Sequence, residues 1–160
     1  MAVHSLKIIG LLLLACFLTQ SAMACFGPKL FLGIPADKKG QVLTSIVAIY
    51  VKEKTGIDTE RVSLDGRNLL EQIVSDKLDY GFAESRLDGV AALMQVDGLP
   101  YLASGPRILE DLQFTTVTPA LQRLQSKLKP EHVEQILEQV KAGALPMAAA
   151  RNFMMKQRWI

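Results

Sequence analysis

Cysteine and histidine are scarce in this sequence. The 160 residues contain two cysteines and two histidines. Cys16 and His4 lie in an apolar N-terminal stretch, so only Cys25 and His132 belong to the rest of the chain. A single cysteine cannot form an internal disulfide, and one cysteine with one histidine cannot supply the four ligands of a structural zinc site. The sequence therefore excludes a disulfide framework and a thiol-based metal site in the chain beyond that stretch.

Signatures of catalysis are also lacking. No Walker-type or dinucleotide-binding glycine pattern is present, and "GPRILED" does not supply one. His132 lies in the first turn of a predicted helix, with no Cys–His or Ser–His–Asp arrangement to support it. We interpret His132 as a surface residue rather than a general base. The expectation is a protein that is not an enzyme and that uses no cofactor or metal.

Charge of one sign is missing as well. The formal net charge is +2, and basic and acidic residues alternate along the chain. A nucleic-acid-binding surface would need a concentrated basic patch. The pattern instead indicates a solvated surface and no nucleic-acid partner.

The N-terminus has the features of a secretory signal. Lys7 precedes an apolar run over residues 8–18, and Ala22-Met23-Ala24 follows a short polar segment. This run is shorter than the roughly 20 apolar residues of a membrane span. We interpret residues 1–24 as a signal peptide and residues 25–160 as one exported, periplasmic domain. The alternative is an N-terminal anchor helix that is never cleaved.

Cleavage after Ala24 would make Cys25 the first residue of the mature chain. A cysteine at that position is the lipid acceptor of bacterial lipoproteins. The preceding Ala22 stands where such signals prefer a larger aliphatic residue. Lipid anchoring through Cys25 and simple cleavage nearby therefore both remain open.

Strand and helix patterns alternate in the first part of the mature chain. Predicted strands lie at residues 30–34, 59–64 and 80–83. A helix from Asp37 to Thr55, capped by Asp37 and ended by Gly56, separates the first two. After Asp65, which we expect to act as its cap, a second helix presents one apolar stripe: Leu69, Leu70, Ile73, Val74 and Leu78. This order predicts a three-layer α/β lobe with a mainly parallel sheet and the first strand between the other two.

The remaining elements are less regular. We predict a helix over Leu87–Val96, a connection with one strand in "DGLPYLASGP", and a strand over Leu109–Val117. Three helices then close the chain, beginning at the Thr118-Pro119 cap, at Pro130 and after Pro146, and we expect them to pack on the lobe.

The loops after the first three strands define the candidate site. Parallel strands of an open sheet bring such loops together at their carboxyl ends, where ligands bind. Carboxylates alternate there with cations and amides, a mixture that suits a zwitterionic or cationic solute. The candidate ligand-binding residues are Asp37, Lys38, Asp65, Arg67, Asn68, Glu84 and Ser85. The alternative interpretation is that Asp37 and Asp65 only cap helices and that the others are solvated.

Two stretches resemble a known family. "LFLGIPADKKGQVLTSIVAIYVKEKTGIDTERVSLDGRNLLEQIVSDKLDYGFAES" is similar to the first lobe of periplasmic solute-binding proteins of the glycine betaine, choline and quaternary-amine ABC transporter family. "VTPALQRLQSKLKPEHVEQILEQVKAGALPMAAARNFMMKQRWI" resembles the closing helices of that family. The resemblance implies a fold like that of type 2 periplasmic binding proteins, and capture of a small amine or amino-acid-like solute for an ABC permease.

The chain also departs from that family. Family members close a second lobe over the ligand, and here only residues 86–110 remain as a reduced remnant of it. Phe82 is the one aromatic that we place near the three loops, although quaternary amines are bound by several rings. A second copy of the chain, a partner protein, or residues 86–110 acting as a lid would have to cover the loop edge. The alternative function is a one-lobed periplasmic interaction module without a ligand.

Overall fold

The computed structural model describes residues 27–160. The interpretations of residues 1–24 as a signal peptide and of Cys25 as a lipid acceptor lie outside the described residues. The strands are β1 (Lys29–Ile34), β2 (Asp58–Ser63), β3 (Tyr80–Ala83), β4 (Ala91–Met94) and β5 (Tyr101–Ser104). The helices are α1 (Lys38–Thr55), α2 (Leu69–Val74), α3 (Arg107–Glu110), α4 (Val117–Gln125), α5 (Pro130–Lys141) and α6 (Pro146–Lys156), with a 3-10 turn at Leu112–Phe114.

The strands form one mixed, open sheet in the order β2-β1-β3-β5-β4. β1 pairs in parallel with both β2 and β3, as the sequence predicted. β5 runs antiparallel to β3 and to β4, so β4 points the same way as β1, β2 and β3. The α/β class is therefore confirmed, and the sheet is parallel on one side and antiparallel on the other.

Alternating residues of the strands face two separate apolar clusters. Leu30, Leu32, Tyr80, Phe82 and Leu102 belong to the larger cluster, which also contains the buried faces of α1, α4, α5 and α6. On the opposite face a smaller cluster joins α2 to the sheet, with members that include Ile73, Leu78, Tyr101 and Ala103. The period of two along each strand places these side chains on opposite faces, so helices cover both faces of the sheet.

Helix α1 is the centre of the larger cluster. Residues 42–51 are buried without interruption. Both ends form as predicted: the Asp37 side chain accepts a hydrogen bond from the Gly40 amide, and Gly56 adopts φ 76° and donates its own amide to Lys52. A helix buried all round needs neighbours on every side. The sheet covers one side of α1 and helices α4 to α6 cover the rest.

Helix α2 starts later and ends earlier than predicted. Asp65 is not its cap: Asp65 and Gly66 both have positive φ, 48° and 77°, in a turn closed by the Arg67 amide and the Leu64 carbonyl. Asn68 is the cap instead and accepts from the Glu71 amide at 3.2 Å. The helix ends at Val74 because Asp76, two residues later, takes a left-handed conformation. The Val74 side chain is 68% exposed. The predicted apolar stripe therefore holds for Ile73 and Leu78 but is wrong for Val74.

Two predicted elements beyond β3 are wrong. The predicted helix over Leu87–Val96 is a connection followed by strand β4, and the predicted strand over Leu109–Val117 is replaced by α3, the 3-10 turn and the start of α4. The helix pattern misled because Leu87 and Val90 pack on the smaller cluster whereas Leu93 and Met94 pack on the larger one. The single strand expected in "DGLPYLASGP" is β5.

The closing helices pack on the lobe as predicted. Val133, Ile136, Leu137 and Val140 of α5 are buried, as are Ala149, Ala150, Phe153 and Met154 of α6. The start of α4 differs: it begins at Val117, and the expected Thr118 cap lies inside the helix. Pro119 is tolerated there because the first turn of a helix requires no backbone donor.

An ion pair holds the amino ends of β1 and β3 together. The Asp79 carboxylate accepts from the Phe31 amide at 2.7 Å and from Arg107 Nη1 at 3.0 Å to each oxygen. Arg107 Nη2 also donates to the Lys29 carbonyl at 3.2 Å, and the guanidinium lies 4.9 Å from the Phe114 ring centre. Arg107 thereby attaches α3 to the amino edge of the sheet, opposite the edge that carries the predicted site.

Candidate functional site

Loops after four strands meet at the carboxyl edge of the sheet. β1, β2, β3 and β4 all end at this edge, and β5 begins there. The loops that leave these strands are residues 35–37, 64–68, 84–90 and 95–100. The first three were predicted from the sequence, and the fourth was missed because β4 was predicted to be helical.

The first cleft at this edge lies between the loops that follow β1, β2, β3 and β4. It measures about 190 Å³ and is lined by Pro35, Asp37, Lys39, Gly40, Leu64, Phe82, Glu84 and Pro100. Of the predicted site residues, Asp37 and Glu84 come together here, and Phe82 also lines the cleft. The sequence pointed to Lys38 as the cation of this loop because Lys38 directly follows Asp37, and Lys39, one position further on, was missed.

Asp37 is held close to the first turn of α1. Its Oδ1 accepts from the Gly40 amide at 2.7 Å. A Cβ atom at position 40 would lie 2.7 Å from Pro35 Cγ and 2.8 Å from Asp37 Oδ2, closer than nonbonded atoms can approach. Glycine at position 40 therefore lets the β1 loop fold against the helix, and the capping interaction occupies one carboxylate oxygen of Asp37.

The β2 loop is tied up by its own contacts. Arg67 donates from Nε to the Leu64 carbonyl at 2.9 Å and from Nη2 to the Ser63 carbonyl, and its guanidinium lies 3.8 Å from Asp65 Oδ2. Asp65 also accepts from the Ser63 hydroxyl, and Asn68 caps α2. Asp65, Arg67 and Asn68 thus shape the turn, and none of them lines the first cleft. The alternative interpretation is wrong in detail for these residues, because Asp65 caps no helix, whereas Asn68 caps α2 and Arg67 binds the backbone of its own turn.

A second cleft adjoins the first and shares Glu84 with it. It measures about 170 Å³ and is lined by Glu84, Arg86, Ala92, Gln95, Leu99 and Tyr101. The Tyr101 hydroxyl accepts a hydrogen bond from the Leu87 amide, which fixes the start of the connection between β3 and β4. Within residues 27–160, the carboxylate of Glu84 and the guanidinium of Arg86 form no ion pair or hydrogen bond. Both groups therefore stay available to a ligand or partner.

Lys38 and Ser85 remain at the margin of the site. Both side chains are exposed, and neither lines either cleft. Lys39, in contrast, lines the first cleft and lies 3.9 Å from Glu134 of α5, a pair with both side chains about half exposed. The cation of the first cleft is therefore Lys39 rather than Lys38.

The Asp97-Gly98 turn was the sequence signal for the missed loop. Gly98 has φ 79°, and this turn separates the apolar runs of β4 and β5. An Asp-Gly pair between two apolar runs is typical of a hairpin. Reading it as a hairpin would have placed Gln95, Leu99 and Pro100 at the carboxyl edge.

His132 lies away from the carboxyl-edge clefts and is not a plain surface residue. Its ring centre is 5.3 Å from those of both Phe153 and Trp159, which contact each other edge to face at 5.6 Å. Its buried Nδ1 has no hydrogen-bond partner within residues 27–160. The interpretation as a surface residue is therefore wrong in part, because the ring packs α5 against α6 and the C-terminal end.

Two hollows of about 260 Å³ each, one lined by residues of α5 and α6 and one by residues of β1 and β2, lie elsewhere in the described part of the chain. In it, no group of three or more His, Cys, Asp or Glu side chains is placed to hold a metal ion. Likewise, none of the helices in residues 27–160 is long and apolar enough to cross a membrane. No protein-family model, no curated protein and no solved structure shows a significant match to this chain.

Proposed function

We propose that this chain is an exported, one-lobed solute-binding domain of the glycine betaine and quaternary-amine type, which holds a small zwitterion or cation at its carboxyl-edge clefts. The fold would be one lobe of a type 2 periplasmic binding protein, and the domain would deliver its solute to an ABC permease. The observation that carries this proposal is the first cleft, which Asp37, Lys39, Phe82 and Glu84 line together.

The chemistry of the first cleft suits such a solute. A quaternary or primary ammonium group can approach the free Glu84 carboxylate and contact the Phe82 ring, because cations are attracted to both. The carboxylate of a zwitterion can approach Lys39 in the same cleft. Two anionic and one cationic side chain therefore favour ammonium compounds over neutral or purely anionic ones.

The size of the clefts predicts weak binding. Their volumes are about 190 and 170 Å³, whereas pockets for small molecules usually measure about 300–1,000 Å³ and bury about 70–90% of a ligand. A ligand left half exposed gains less from polar contacts because water screens them. We expect dissociation constants weaker than roughly 10 µM for glycine betaine, choline or proline.

A titration followed by NMR tests the proposal. Amide signals of residues 37–40 and 82–86 should shift on addition of glycine betaine, choline or proline. Glu84→Gln should weaken binding of the responding ligand by about five-fold, since it removes one half-exposed charge interaction worth roughly 1 kcal/mol. The matched control is Glu110→Gln, which changes an exposed carboxylate of α3 at the opposite edge of the sheet and should bind as the wild type does.

Two results would contradict the proposal in different ways. If no ligand shifts these signals at concentrations of about 50 mM, far above any physiological binding constant, the solute-binding function is wrong. If any ligand binds with a submicromolar constant, a complete pocket exists and the half-open cleft of a single copy is not the whole site.

A ligand-free interaction module is the second candidate. The observation that favours it is that Asp65, Arg67 and Asn68 are occupied by contacts within the β2 loop. A domain of this kind would show no ligand response and would instead copurify with a periplasmic protein, which a pull-down from the native periplasm would detect.

A further inference from the structure

The two clefts stay partly open, although Gln125 of α4 and Glu134 of α5 contact the carboxyl edge at Gln95 and Lys39. Residues 86–110 were the candidate lid, but β4 and β5 belong to the sheet itself, and α3 lies at the amino edge. Leu93, Met94 and Leu102 are buried in the lobe's own larger cluster. These apolar side chains of residues 86–110 help to build the lobe and do not close over the clefts.

The carboxyl edge has the composition of a surface that pairs with itself. Around the two clefts, the carboxylates of Asp37 and Glu84 are balanced by the cations of Lys39 and Arg86. Half-buried apolar residues lie between these charges, among them Pro35, Leu64, Leu99 and Pro100. A partner whose surface carries mostly one sign of charge would bind best to an edge that carries mostly the other sign. An edge with equal numbers of acidic and basic groups can instead complement a second copy of itself that is rotated by a two-fold axis.

Glu84 and Arg86 are suited to reciprocal pairing. They are two residues apart in the loop after β3, both line the second cleft, and both are free of ion pairs within residues 27–160. Across a two-fold axis, a contact of residue i with residue j is always repeated as j with i. One loop placed against its copy therefore forms two Glu–Arg pairs at once.

We propose that a second copy of this chain supplies the missing wall of the site, with the carboxyl edges of two copies facing each other and Glu84 of each paired with Arg86 of the other. This inference rests on the proposed function, because it names the cover of the same site. Two clefts of about 190 Å³ that face each other enclose a volume within the usual range of ligand pockets. Glu84 has two carboxylate oxygens, so it can pair with Arg86 of the other copy and still face an ammonium group. A ligand bound between two copies in this way would stabilise the dimer.

Sedimentation velocity tests this arrangement. Wild type is compared with Glu84→Arg, Arg86→Glu and the double variant, at about 10 µM to 1 mM protein, a range that covers weak association. We expect each single reversal to weaken dimerisation at least ten-fold, because it places like charges opposite one another twice. The double variant should recover to within about three-fold of the wild type, since its pairs are again opposite in charge. Glu110→Arg is the control that adds a cation outside the interface, and thermal melts check that every variant folds.

The ligand arm separates this inference from the proposed function. Glycine betaine and proline at about 10 mM should shift wild type toward dimer if ligand is enclosed between copies. Binding seen by NMR to a protein that stays monomeric would overturn the dimer and leave the proposed function intact. A dimer that forms without any ligand response would support the pairing and contradict solute binding. Wild type that is monomeric at 1 mM, or a double variant that does not recover, would overturn the pairing.

Discussion

Replacing Asp79 by asparagine should destabilise the protein more than any other single loss of charge among its ion pairs. The Asp79 side chain is 6% exposed, whereas its partner Arg107 is 43% exposed. Asparagine keeps the shape of the side chain but removes its charge. An amide nitrogen replaces one of the two acceptor oxygens, and this nitrogen cannot accept a hydrogen bond from Arg107 or from the Phe31 amide. The change therefore affects three hydrogen bonds at the amino edge of the sheet.

The expected loss of unfolding free energy is about 2–3 kcal/mol. Hydrogen bonds to charged groups contribute roughly 1.5–3 kcal/mol each, and breaking a fully buried ion pair costs about 3–5 kcal/mol. Arg107 can still be solvated on its exposed side, so the upper figure is not reached. In a chain of this size, such a loss lowers the melting temperature by about 6–12 °C.

Chemical denaturation followed by circular dichroism measures this change, with Asp58→Asn as the control. Asp58 lies 2.8 Å from Lys52, but its side chain is 54% exposed. An exposed pair contributes about 1 kcal/mol or less. If Asp79→Asn loses no more stability than Asp58→Asn, the reasoning from burial is wrong and the amino edge is held by packing alone.

Three further predictions concern the packing of α2, the alkaline range and the N-terminus. Gly81→Ala should cost about 1–2 kcal/mol, because its Cβ would lie 2.5 Å from Leu69 Cδ1; adding Leu69→Ala should recover part of the loss in a double-mutant cycle, and strict additivity would contradict the contact. Burial raises the pKa of Tyr80, whose hydroxyl shares a hydrogen bond with Thr59. The stabilisation that protonated Tyr80 provides is therefore complete below the pKa of tyrosine in the unfolded chain, about 10, and is lost as the pH rises above that value. Urea titrations at pH 8–11 should show that the unfolding free energy falls less with pH in Tyr80→Phe than in the wild type. An equal fall in both proteins would show that Tyr80 does not contribute to this pH dependence. Intact-mass analysis of the exported protein should give a chain that starts at Cys25, with or without lipid, and recovery of residues 1–24 would contradict the signal-peptide interpretation.

The sequence predicted the parallel half of the sheet because its signals there are local. The Asp37 cap, the Gly56 stop and the apolar run of residues 42–51 lie within α1 itself. "YGFA" and the strand at residue 30 are short apolar runs that need burial on both faces, which only a covered sheet provides. Helices α5 and α6 were also predicted from local signals, namely a proline in the first turn and an apolar stripe with helical spacing.

The antiparallel half could not be predicted from the same signals. Leu87, Val90, Leu93 and Met94 follow a helical spacing, yet the first two pack on one face of the sheet and the last two on the other. Periodicity tells which residues are buried but not against which neighbour, so a connection and a strand together imitated a helix. The Asp97-Gly98 turn was the one local sign that separated the two interpretations.

The candidate site, like the sheet, could be predicted only in part from the sequence. The sequence by itself determined that polar loops follow β1, β2 and β3, because parallel strands joined by helices must release their loops at one edge. Only the tertiary structure decided which of those side chains share a cleft. Asp37 and Glu84 do so with Lys39 and Phe82. Arg67 is instead held by backbone carbonyls of its own turn, and Asp65 contacts Arg67 and the Ser63 hydroxyl. The reason is physical: spacing along a chain fixes the edge at which a side chain lies, but competition among nearby hydrogen-bond and charge partners decides whether that side chain is left free to bind anything else.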